Sequence, residues 1–70
     1  MKSKQNKELL NKDEIKFLKL LAKGIYIRHA GKQMGLSEYK SYQMSKNIKT
    51  KLNAINMPNA AYIAIELGIL

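Results

Sequence analysis

Seventy residues with 13 basic and 5 acidic side chains, a net charge of +8 and no cysteine make one small domain, with neither a disulfide framework nor a thiolate metal site. A single histidine, His29, argues against a histidine metal cage or a histidine-based triad, and no apolar run approaches the ~20 residues of a membrane span. The apolar fraction, 46%, is that of a chain that folds, and the excess of positive charge suggests a polyanionic partner.

In chain order, MKSKQNKE at 1–8 is polar and aperiodic and reads as a flexible basic arm. It is not followed by an apolar core long enough for a signal peptide, so the cytoplasm is the expected location. The domain then covers 9–70. Asn11 and Glu14 have the spacing of a capping box, in which each side chain satisfies a backbone N–H of the first turn. Phe17, Leu18, Leu21 and Ile25 recur at helical spacing and Gly24 supplies a stop, which predicts helix one over 12–23. Helix two, 28–34, has a weak start at Tyr26-Ile27 and ends at Gly35. Gly31 inside it costs about 1 kcal/mol relative to Ala, which points to close approach by another helix.

Ser37 is the next cap, and nothing interrupts helix three over 38–52. Ser41, Met44, Ser45, Ile48 and Leu52 fall on its inner side. Tyr39, Gln43, Lys46 and Asn47 fall opposite, with Lys40, Tyr42, Lys49 and Lys51 on the flanks. No acid occurs between Tyr39 and Ile65. Asn53 can take the left-handed conformation that ends the helix. Asn56 caps helix four, 57–67, where Pro58 is tolerated in the first turn. This helix is apolar nearly all round: Ala60, Ile63, Ala64 and Leu67 suit the core, while Ala61, Tyr62 and Ile65 form a second apolar face that a second subunit would cover. Met34, Met44 and Met57 read as core filler. The expected fold is all-α: a four-helix bundle containing a helix-turn-helix, with no repeat and no strand signal.

Two short helices joined by a tight glycine turn, the second basic and polar outside, suit DNA. In a helix-turn-helix the second helix enters the major groove while the first crosses the backbone. At this point residues 10–70 resemble the LuxR-type (GerE-like) helix-turn-helix domain in three collinear, gap-free blocks. LNKDEIKFLKLLAKG is similar to that family's LTxREREVLxLLAxG, MGLSEYKSYQMSKNIKTKL to its LGISExTVKxHLxxIxxKL, and NAAYIAIELGIL to its EAVxxAxxxGLL. The chain holds little besides these blocks and so resembles a standalone member.

The resemblance implies a homodimeric, DNA-binding transcription regulator that is not an enzyme and needs no cofactor or metal. It places Tyr39, Lys40, Tyr42, Gln43, Lys46 and Asn47 toward bases, and Arg28 and Lys51 on phosphate; Lys49, on the same flank, joins the phosphate set. It assigns the helix-four patch to the dimer contact. The sequence departs from the family at His29, where Glu is usual, at Ser41, often Val, and at Met44, commonly His. Base preference therefore does not transfer. Two alternatives are an adaptor that binds another regulator or RNA polymerase through helix four, and a membrane-surface amphipathic peptide; the chain's lack of Trp sets the latter last.

Overall fold

The computed structural model describes residues 9–70, so the basic arm expected over 1–8 lies outside the described residues. Four helices follow in order: α1 (Lys12–Ala22), α2 (Ile27–Gln33), α3 (Glu38–Leu52) and α4 (Met57–Glu66). No strand occurs among the described residues. The expected helices one and four differ from these bounds by one residue at the C-terminal end and helix two by one residue at each end, which is the ordinary fraying of helix termini. No helix among the described residues is long and apolar enough to cross a membrane.

Local chemistry sets the ends. The Asn11–Glu14 box is formed in both directions: the Glu14 N–H donates to Asn11 Oδ1 at 2.8 Å and the Asn11 N–H to Glu14 Oε1 at 2.9 Å. Ser37 Oγ accepts from the Lys40 N–H, and Asn56 Oδ1 from the Asn59 N–H. Only α2 starts without a side-chain cap, at Tyr26.

All four helices stop in the same way. A left-handed residue ends each one, following the cap in α1, α2 and α4 and serving as the cap in α3, and the next N–H reaches back five residues: Ile25 to the Leu20 carbonyl, Leu36 to Gly31, Ala54 to Lys49, Ile69 to Ala64. This is the Schellman arrangement, and each returning residue is apolar, as the motif favours. Gly24, Gly35 and Gly68 fill three of the left-handed positions; Asn53, at φ 56°, fills the fourth.

The core lies where the four helices meet. Phe17 and Leu18 of α1, Ala30 of α2, Ile48 and Leu52 of α3, and Ala60 and Ala64 of α4 are buried. Leu10 and Ile69 join them from outside the helices. Ile69 is the returning residue after the Gly68 stop, so the turn itself folds it inward. Ile63, Leu67 and the three internal methionines pack around this centre half-buried.

Helices α2 and α3 form the closest pair. A β-carbon added to Gly31 would overlap the Ser41 hydroxyl and sit 2.6 Å from its β-carbon. The small volume at Ser41 is therefore filled by the backbone of α2. Both buried serines of α3 turn their hydroxyls onto its own backbone: Ser41 Oγ donates to the Ser37 carbonyl and Ser45 Oγ to the Tyr42 carbonyl, each at 2.8 Å. No buried side-chain nitrogen or oxygen among the described residues lacks a partner.

Candidate nucleic-acid interface

Packing through Gly31, Ser41, Ser45 and Ile48 fixes which side of α3 faces out. Tyr39, Lys40, Tyr42, Gln43, Lys46 and Asn47 are all exposed. They span the first two-thirds of the helix, the part that follows the tight turn at Gly35. The turn runs through Met34–Ser37, so the backbone reverses immediately before the first outward residue. Within this face the Gln43 amide donates from Nε2 to the Tyr39 hydroxyl at 2.8 Å, one helical turn away. That bond steadies the amide and leaves its carbonyl oxygen available as an acceptor.

The cations around the face differ in their circumstances. Lys40 and Lys46 are exposed, and Lys49 is half-buried on the flank. Arg28 lies at the start of α2, with Nη1 4.0 Å from the Glu38 carboxylate and both side chains well exposed. An exposed pair at that distance contributes little and dissociates easily.

Lys51, expected on phosphate, also has a partner within the chain. Its ammonium donates to both oxygens of Glu14, at 2.8 and 2.9 Å, across 37 positions of sequence. The Glu14 side chain is only 5% exposed and that of Lys51 41%. The carboxylate that caps α1 is thus paired with the last turn of α3, while the Lys51 side chain stays partly open to solvent.

Comparison with protein-family models finds no match, and comparison with curated proteins finds none either.

Along α4, Ala61 is half-buried while Tyr62 and Ile65 are exposed. With Met57 and Pro58 they line one wall of an open apolar groove; Leu21 and Ile25 of α1 and its exit line the other. Sequence reasoning found the α4 wall from its all-round apolarity. It did not show that Leu21 and Ile25, read only for their helical spacing, face this groove. The groove and the base-facing side adjoin at Tyr26 and Ile27, which line both this groove and a shallow recess that Tyr42 borders.

Proposed function

We propose that the chain is a sequence-specific double-stranded DNA-binding transcription regulator of the LuxR-type (GerE-like) class, acting as a homodimer. The observation that carries the reading is the exposed outer face of α3, free of acid from Tyr39 onward, set out by a glycine turn and sealed behind by small residues. In the major groove, Gln43 and Asn47 offer the paired hydrogen bonds that suit adenine, and Lys40 and Lys46 offer donors for guanine acceptors. Tyr39 and Tyr42 add ring surface. Arg28, Lys49 and Lys51 hold phosphate and release counterions. Ala61, Tyr62 and Ile65 meet the same face of a second copy, which would align two recognition helices with half-sites about one duplex turn apart.

The apolar groove beside α4 favours one other reading: an adaptor that docks another regulator or RNA polymerase there. Fluorescence anisotropy on duplex DNA over a series of salt concentrations separates the two. The regulator binds with log K falling linearly as log salt rises. An adaptor leaves the duplex unbound at every salt concentration and forms a stoichiometric complex with the polymerase.

A further inference from the structure

Tyr26 is accounted for neither by the fold nor by the duplex-facing helix. It occupies the N-cap of α2, where Ser, Asp or Asn would bond a free backbone N–H and add about 1 kcal/mol. Its side chain makes no such bond. It is 77% exposed, so packing does not retain it either.

The Tyr26 ring borders a surface recess between α2 and α3, together with Ile27, Arg28, His29 and Tyr42. Ile27 is the half-buried member of this set. The Tyr26 and His29 rings stand with centroids 6.2 Å apart and planes at 57°, so neither lies flat over the other. Arg28 and His29 also border an adjoining recess with Lys32, where Glu38 is the acid present. The loose Arg28–Glu38 pair leaves the guanidinium able to change partner.

Ring faces over an aliphatic floor, with cations at the rim of a chain of net charge +8, match a flat heterocycle that carries a phosphate. Base–aromatic stacking tolerates any sequence because every base has a π-face, and basic groups follow the backbone. Inside an intact duplex those faces are covered by neighbouring base pairs. We propose that the Tyr26–His29–Tyr42 recess is a subsite for single-stranded nucleic acid, seating one unpaired base against the tyrosines with its phosphate on Arg28. It goes beyond duplex recognition: it shares Tyr42 and Arg28 with that face but needs no paired groove.

The test is anisotropy on labelled oligothymidine of about 12 nucleotides, within the usual site size of single-strand binders. Tyr26→Phe keeps the ring and binds as the parent does. Tyr26→Ser removes the ring and supplies the missing cap, so it folds at least as well, yet binds on the order of ten-fold more weakly. Ile55→Ala, at an exposed residue outside both the recess and the groove, binds unchanged. Undiminished binding by Tyr26→Ser, or no binding of oligothymidine by the parent chain at low salt, overturns the subsite. Tyr26 also borders the apolar groove beside α4. Sedimentation of Tyr26→Ser therefore accompanies the titration: an unchanged mass is expected, and a fall in mass together with lost binding assigns the ring to that groove and overturns the proposal. Oligothymidine has no complementary strand, so duplex binding without Tyr26-dependent single-strand binding defeats this site alone, and the reverse defeats the duplex reading alone.

Discussion

At position 51 the ammonium closes on both oxygens of a carboxylate that is already capping another helix. Removing one partner of a buried pair costs ~3–5 kcal/mol, and the half-open lysine side reduces that here, so Lys51→Met is expected to destabilise by about 2 kcal/mol in urea melts. Its salt slope for DNA binding is expected to fall by ~1 if the partly exposed ammonium also meets phosphate, and an unchanged slope would leave Lys51 to the Glu14 pair alone. Glu14 was legible as a cap because the box is local. Its pairing with Lys51 was not, since nothing in a single sequence brings together side chains 37 positions apart. Gly31 was legible as a place of close approach, but its neighbour was not. Gly31→Ala drives a β-carbon into Ser41, and overpacking of that kind costs ~1–3 kcal/mol despite the helix propensity gained. Adding Ser41→Gly removes the obstructing atoms and leaves the Ser41 Cα at 3.5 Å, so the double variant is expected to melt above Gly31→Ala alone.

Helix ends in this chain are written in short-range chemistry, and that is why the elements could be read closely from sequence. Caps at Asn11, Ser37 and Asn56 and stops at three glycines and Asn53 are local signals, each confined to a few residues. The weakest start, at Tyr26, lacks such a signal. Ile69 was missed in the core because it lies beyond the last helix, where periodicity says nothing; the Schellman turn carries it inward. Asn53 is the one non-glycine residue with positive φ among the described residues. Asn tolerates that conformation better than other side chains with a β-carbon. Asn53→Ala is expected to cost about 1 kcal/mol, or ~4–8 °C in Tm for a domain of this size. Asn53→Gly should melt at or above the parent; equal melting of all three would show that this stop does not depend on left-handed geometry.

Over the whole molecule, two unlike surfaces emerge from one thin core: a basic, polar face on α3 and an apolar groove beside α4. The sequence carried the first through charge placement and the second through a helix apolar on too many sides. The groove's far wall needed the tertiary packing of α1. Tyr62→Asp sets a charge in that groove and is expected to halve the sedimenting mass with the Tm little changed, because Tyr62 is mostly exposed and lies outside the buried core. An unaltered mass would remove α4 from the dimer contact. The most direct test of base reading by α3 is selection of bound duplexes from a randomised pool at near-physiological salt, run in parallel on the parent chain and Gln43→Ala. A two-fold symmetric motif, with preference relaxed at one or two positions per half-site in the variant, is the expected result. No motif from the parent, or the same motif from both, would contradict it.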